Sequence, residues 1–176
     1  WISCAGGLSG ISHIPVQRVE GEGEKVQVKV CGLMGGHSGA EIDKNRANAN
    51  KLMGRFLYGL KKKAEYALIS LTGGQKDNAI TRECTAEFLT DSVAEVKAYA
   101  KELQEQLREE YTGSDENITF EITEKGTATA EVLHPTSQEK IVFYLQNVPF
   151  GIQKMSGTIK GLVETSSNIG ILRLDR

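Results

Sequence analysis

Two hydrophobic periodicities alternate between residues 25 and 124, and their order limits this chain to few folds. Alternating apolar and polar residues in two stretches, and strand-like runs in two others, predict four strands that each bury one face. The four predicted strands are residues 25–33, 66–72, 82–89 and 117–124. Helical spacing in residues 41–63 and in the stretch after Ser92 predicts two helices between them. The predicted order is therefore β-α-β-β-α-β.

Each predicted helix carries an apolar stripe. The stripe of the first helix consists of Ala49, Leu52, Met53, Phe56, Leu57 and Leu60. The stripe of the second helix consists of Val93, Val96, Ala100, Leu103 and Leu107. Ser92 and Glu95 have the spacing of a capping box, which predicts where the second helix begins, and Gly113 predicts where it ends.

Strands with one polar face and short connections favour an antiparallel sheet with both helices packed on the other face. With this element order, the predicted fold is a ferredoxin-like α+β sandwich. We interpret residues 1–176 as a single domain with a core at 25–124 and flanking segments at 1–24 and 125–176. The flanks contain a strand-like run at 14–20, a predicted helix at 137–146 and a predicted strand at 169–174.

The ends of the chain indicate a piece of a longer protein. The first residue is Trp1 and not Met, and both terminal runs are strand-like and stop abruptly. A domain inserted into a host has such ends, so we expect further parts of the protein on either side.

Charge and composition argue against several classes of partner. The 21 Lys and Arg residues nearly balance the 23 Asp and Glu residues, so we expect neither nucleic acid nor an anionic membrane as a partner. No apolar run approaches the ~18 residues that cross a bilayer. The odd set of Cys4, Cys31 and Cys84 lacks a C-x-x-C pair, which argues against disulfides and structural zinc. We therefore expect a cytoplasmic protein with buried thiols at Cys31 and Cys84.

A complete active site is not visible in the sequence. None of the histidines, His13, His37 and His134, has the spacing of a metal-binding pair. The adjacent Glu109 and Glu110 lie on a predicted helix, where consecutive side chains point about 100° apart and do not grip one ion. We therefore expect no metal site in this chain.

His37 is the strongest catalytic candidate that the residues themselves offer. It lies in Gly35-Gly36-His37-Ser38-Gly39, between the end of a predicted strand and the start of a predicted helix. Flanking glycines leave the imidazole uncrowded, so it can present a donor to a carbonyl oxygen or oxyanion. The alternative is a loop histidine that caps the helix. A serine hydrolase built on Ser38 and His37 is a weaker possibility, because Ser38, like Ser9, lacks the G-x-S-x-G pattern.

A second polar cluster, Asn78-Ala79-Ile80-Thr81-Arg82, follows the Gly73-Gly74 turn. An amide and a guanidinium beside a turn can bind a carboxylate. A turn asparagine followed by an exposed strand arginine explains the same residues without a function.

Five ordered motifs together resemble one enzyme family over essentially the whole chain. They are Ile2-Ser3-Cys4-Ala5-Gly6-Gly7; Gly32-Leu33-Met34-Gly35-Gly36-His37-Ser38-Gly39; Asn45-Arg46-Ala47-Asn48-Ala49-Asn50-Lys51-Leu52; Gly73-Gly74 with Asn78-Ala79-Ile80-Thr81-Arg82-Glu83; and Gly161-Leu162-Val163-Glu164-Thr165-Ser166-Ser167-Asn168. The chain resembles the lid, or dimerisation, domain of the aminoacyl-histidine dipeptidases (peptidase D), in the di-zinc superfamily of carnosinase and carboxypeptidase G. The resemblance implies that it corresponds to only the middle of a parent enzyme.

The resemblance also implies roles for single residues. His37 corresponds to a lid histidine that bonds the scissile carbonyl and oxyanion in a cleft of its own or of a partner subunit, and Asn78 to a lid asparagine that contacts the dipeptide. Lys154 is the candidate for holding the substrate carboxylate. Thr81 stands where relatives often have Pro. The two zinc or similar divalent ions of the family are bound by His-x-Asp, Glu-Glu and a later His in the catalytic domain, so no cofactor is expected in this chain.

The partners implied by the resemblance are a parent catalytic domain and a dipeptide of the Xaa-His type, with no catalysis by the chain alone. An uncovered strand edge would offer a surface for a homodimer. The alternative is a non-enzymatic ferredoxin-like module that binds a ligand or oligomerises. A lid needs His37 exposed on an open face, whereas a ligand sensor needs a closed pocket.

Overall fold

The computed structural model of the chain describes residues 6–174. Trp1, Cys4 and the start of the first motif lie outside these residues. The strands are β1 (Arg18–Cys31), β2 (Gly36–His37), β3 (Ala67–Gly73), β4 (Ala79–Ile80), β5 (Cys84–Thr90), β6 (Thr119–Leu133), β7 (Gly151–Met155), β8 (Val163–Ser167) and β9 (Leu172–Leu174). The helices are α1 (Ala49–Leu60), α2 (Val93–Glu110) and α3 (Pro135–Asn147), with a 3-10 turn at Ile42–Lys44.

Within the described residues, five strands form one antiparallel sheet in the order β6-β1-β5-β3-β9. The first four positions have the strand order of a ferredoxin-like sheet, and β9 adds to the edge beside β3. The predicted α+β class and β-α-β-β-α-β order are confirmed.

The core forms where the helices cover one face of this sheet. All six residues of the predicted α1 stripe are buried, together with Val26, Val28 and Val30 of β1. Phe56 lies at the centre, with its ring centroid 5.6 Å from that of Tyr99 and 5.3 Å from that of Phe120. Lys51 fixes α3 against α1, because its Nζ donates to the carbonyl oxygens of residues 145, 146 and 148 at the end of α3.

Several predicted boundaries are wrong. The first helix begins at Ala49 rather than at residue 41, because Asn48 caps it: Asn48 Oδ1 accepts from the backbone N–H groups of Asn50 (2.9 Å) and Lys51 (3.3 Å). The predicted capping box is also wrong. Ser92 does precede α2, but its side chain makes no capping hydrogen bond. The second helix ends at Glu110, and Gly113 lies beyond it in a turn with φ +85°.

The strands β1 and β6 are much longer than predicted. They pair from Arg18 opposite Leu133 to Cys31 opposite Thr119, with a register shift between Glu24 and Val26. Of the predicted strand at 14–20, only residues 18–20 belong to a strand, where they begin β1. The predicted strand at 169–174 is shortened to Leu172–Leu174.

The prediction of buried thiols holds for Cys84, whereas Cys31 is half-buried, and both are free. Burial raises the pKa of the Cys84 thiol well above its usual range. None of the described helices combines the length and apolar character that a bilayer crossing requires.

Candidate functional site

His37 and Asn78 lie together at a small antiparallel ribbon formed by β2 and β4. Gly36 pairs with Ile80 and His37 with Ala79. The ribbon continues by one further bond, because the Ser38 N–H donates to the Asn78 carbonyl oxygen at 3.0 Å. Both predicted site residues are exposed. The fold thus brings the two glycine-rich segments of the sequence to one open surface.

The imidazole of His37 is held in one orientation by its own loop. Its Nδ1 accepts hydrogen bonds from the backbone N–H groups of Gly39 (3.0 Å) and Ala40 (3.1 Å). A ring nitrogen that accepts carries no proton, so the neutral imidazole has its proton on Nε2. Among residues 6–174, no group accepts from that Nε2–H. The arrangement therefore leaves one oriented donor on the surface.

Glu41 and Arg46 support the backbone of this loop. The His37 N–H donates to Glu41 Oε2 at 2.8 Å, and Arg46 Nη1 lies 2.8 Å from Glu41 Oε1. Arg46 also donates to the carbonyl oxygen of Gly35. The His37 N–H and the Arg46 guanidinium hold the pKa of the Glu41 carboxyl below its usual range. The carboxylate thus links both ends of the His37 turn.

Asn168 fixes the backbone around Asn78. Its Nδ2 donates to the carbonyl oxygens on either side of Asn78, those of Asp77 (3.2 Å) and Ala79 (2.8 Å). Its Oδ1 accepts from Nδ2 of the buried Asn48 at 3.1 Å. Within the described part of the chain, no hydrogen bond engages the side chain of Asn78. The Asn78 amide can therefore meet a ligand from a fixed backbone.

A buried polar cluster lies beneath this site. Asn50 Nδ2 donates to Thr81 Oγ1 (3.2 Å) and to the carbonyl oxygen of Ile169 (3.1 Å). Thr81 Oγ1 lies 3.1 Å from that same oxygen and 2.9 Å from the carbonyl oxygen of Gly170. Thr81 is thus a buried part of the structure. Sequence reasoning missed this cluster, although a polar Asn50 beside the apolar stripe of α1 was a usable signal.

No described hydrogen bond or ion pair connects Lys154 to His37 or Asn78. Lys154 lies on a separate ribbon, in which β7 pairs with β8, and its Nζ forms an ion pair with Glu164. Both side chains of that pair are exposed, so the interaction is weak. Arg82 lies against the His37 loop: a Cβ on Gly35 would be 2.4 Å from its Cγ.

The remaining candidates are placed as follows. The described residues contain no group of three or more His, Cys, Asp or Glu side chains that could hold a metal ion. No described hydrogen bond joins Ser38 Oγ to His37, whose Nδ1 already accepts from two amides. Glu110 forms an exposed ion pair with Arg55 at 2.6 Å. Neither the serine hydrolase nor the paired glutamates gain support from these contacts.

A large groove lies elsewhere on the surface. It has a volume of about 740 Å³ and is lined by the end of α1 and by α3, with Tyr58, Tyr66 and Phe143 among its residues. His37 and Asn78 do not line it.

The chain is similar to parts of longer proteins. The sequence model described as "Peptidase dimerisation domain" matches residues 28–115. The cytosol non-specific dipeptidase of Escherichia coli (strain K12) is 33% identical over 178 residues, which cover 99% of this chain and 36% of that protein. The crystal structure of aminoacylhistidine dipeptidase from Vibrio alginolyticus is 30% identical and superposes with a TM-score of 0.76, over 91% of this chain and 36% of that one.

The chain spans about 36% of the length of each of these two relatives. The matched residues 28–115 run from β1 through α2 and include both His37 and Asn78. The chain belongs to the peptidase dimerisation domain family.

Proposed function

We propose that this chain is the lid and dimerisation domain of a longer dipeptidase, and that it brings His37 to the substrate when it closes. The observation that carries the proposal is the state of the His37 ring. Two backbone amides donate to Nδ1 and leave an exposed Nε2–H as the donor. The names of the two relatives, both dipeptidases, support the substrate class.

In this proposal, His37 donates Nε2–H to the scissile carbonyl oxygen and to the oxyanion that develops there. A donor that is oriented before the reaction stabilises that charge without a cost of reorganisation. The Asn78 amide contacts the dipeptide from the neighbouring loop. Closure over the substrate would also exclude bulk water, which strengthens both hydrogen bonds.

The substrate carboxylate needs a cation as well. Lys154 would serve if it left Glu164, its exposed partner. Arg82 offers a fork of donors that suits a carboxylate better than a lysine does. Replacing each by Met in the full-length protein distinguishes them: the variant with the larger rise in KM identifies the residue that holds the carboxylate.

The metal ions of such an enzyme, two zinc or similar divalent ions, belong in our proposal to a catalytic domain outside this chain. The described residues do not fit a metal site, because no three ligating side chains come together. What this chain contributes is the Nε2–H donor of His37 and the Asn78 amide, both of which act without binding metal.

Partners and compartment follow from the same proposal. The chain would pack on the parent catalytic domain and pair with a second copy, because β6 and β9 are open edges of the described sheet. We propose dipeptides, including the Xaa-His type, as substrates and the cytoplasm as the compartment, since one relative is named a cytosolic enzyme. A non-enzymatic ligand sensor is less well supported, because His37 lies on an open face.

Replacing His37 in the full-length protein tests the proposal. We expect His37→Ala to lower kcat/KM for a dipeptide by about 10²–10³, the usual effect of removing an oxyanion donor. His13→Ala is the matched control, since His13 is exposed in the segment before β1. If His37→Ala stays within a few-fold of the parent, the assignment of His37 is wrong.

A further inference from the structure

Asp115 is a buried carboxylate that lies between two distant backbone amides. It belongs to the turn between α2 and β6 and is only 1% exposed. Its Oδ1 accepts from the Met34 N–H at 2.6 Å, and its Oδ2 accepts from the Ala47 N–H at 2.7 Å. The Asp115 N–H donates in turn to the carbonyl oxygen of Tyr111 at 3.0 Å, which ties the carboxylate to the end of α2.

The two amides bound by Asp115 bracket the segment that carries His37. Met34 precedes the glycine turn, and Ala47 follows the 3-10 turn, just before the cap of α1. Inside this bracket, Arg46 joins Glu41 to the Gly35 carbonyl oxygen. Asp115 therefore closes the base of a loop whose middle is held by Arg46.

A carboxylate is needed at this position. Burying a charge without a cation costs free energy unless hydrogen bonds compensate, and the described residues include no ion pair to Asp115. An asparagine of the same shape would offer one acceptor oxygen, and its NH₂ would face the other amide. Asp115 thus satisfies both amides with one planar group, and it joins the helical layer to the His37 loop.

We propose that Asp115 is a positioning residue for His37. It fixes both ends of the 34–47 segment and thereby sets where the imidazole lies when the chain meets substrate. This inference rests on the proposed function of His37 and adds a residue that touches no substrate. Misplacing a catalytic group by about 1 Å can cost about 10²-fold in rate, so the effect is measurable.

A double-mutant cycle in the full-length protein tests this role. We expect Asp115→Asn to lower kcat for a dipeptide by about 10-fold or more with little change in KM. In the His37→Ala background, the same substitution should lower kcat no further, because the group that it positions is gone. Asp43→Asn is the matched control, since Asp43 is an exposed carboxylate in the same segment.

If Asp115→Asn does not fold, Asp115→Glu serves as the test variant, because it keeps the charge and displaces it by one methylene. Hydrogen exchange of the Met34 and Ala47 amides, measured in the same full-length variants, should rise in Asp115→Asn and not in Asp43→Asn. An equal fall in kcat in both backgrounds would show that Asp115 only stabilises the fold. Unchanged kcat or unchanged exchange would also overturn the inference. If His37→Ala alone leaves kcat unchanged while exchange is faster in Asp115→Asn, the proposed function of His37 is refuted, but Asp115 still fixes the ends of the 34–47 segment.

Discussion

Gly36 lies at a crowded point of the His37 loop, and replacing it by alanine should distort the loop. Its φ is +143°, in a region that residues other than glycine rarely adopt. A Cβ at this position would lie 2.2 Å from Arg46 Nη1 and 2.7 Å from Glu41 Oε2. The substitution therefore strains the backbone and also separates the ion pair that supports His37.

The magnitude follows from the backbone strain. Strain of this kind costs about 1–3 kcal/mol. Loss of the hydrogen bond from the His37 N–H to the Glu41 carboxylate adds little to this cost, because the carboxylate is accessible to water. The strain corresponds to a fall in Tm of roughly 2–12 °C for a domain of this size.

Thermal unfolding followed by circular dichroism measures this difference, and hydrogen exchange of the His37 amide shows that the loop is its source. Gly157→Ala is the matched control, because a Cβ there meets no atom within 4 Å. The control should melt within about 1 °C of the parent. If Gly36→Ala also does so and its His37 amide remains protected, the crowding around Gly36 does not restrain the loop.

Two further predictions concern the hydrogen bonds around the site. Asn168→Ala should speed hydrogen exchange of the amides next to Asn78 and raise KM more than it lowers kcat. The control Asn147→Ala, on the exposed end of α3, should do neither. Equal behaviour of the two variants would contradict the role of Asn168. The pKa of Glu41 is lowered in the folded state, so its contribution to stability is present above the ordinary value of 4.5 and is lost as the pH falls through the lowered value. The NMR shift of the His37 amide should therefore titrate with a midpoint below 4.5, and a midpoint at or above 4.5 would refute the link.

The core elements could be predicted because their signal is local. Val26, Val28 and Val30 alternate with polar residues, and every apolar residue of the α1 stripe is buried. Such periods depend only on the geometry of one strand or one helix. The order of the elements then leaves the ferredoxin-like sheet as the simplest way to bury all the apolar faces.

The misplaced boundaries depend on contacts that are distant in sequence. The first half of β1, from Arg18 to Glu24, is rich in glycine and glutamate and lacks alternating apolar side chains, and it is a strand because β6 pairs with it. Residues 41–48 have helical spacing but form only the short 3-10 turn at Ile42–Lys44 and no α-helix. There, Asp115 binds the Ala47 N–H, and Asn48 uses its side chain to begin the helix later.

The site was predictable in one respect only. Glycines on both sides of His37 mark a turn with an accessible imidazole, and the structure has that turn. The side chains that hold it in place, Asp115 and Asn168, look in the sequence like ordinary turn and loop residues. Their importance depends on burial and on partners far along the chain, which no local pattern records.

The rigidity of the site therefore comes from beneath it and not from its own ribbon. The ribbon of β2 and β4 has two residues in each strand, and an isolated two-stranded ribbon is marginal in water. Asp115 connects the segment that contains β2 to α2. Asn168 connects the segment that contains β4 to Asn48 at the start of α1. Because both anchors are attached to helices that form the core, His37 and Asn78 should remain in register until the core itself loosens. A donor and an amide held in this way can be moved as one body by closure of the domain, which is what the proposed lid requires.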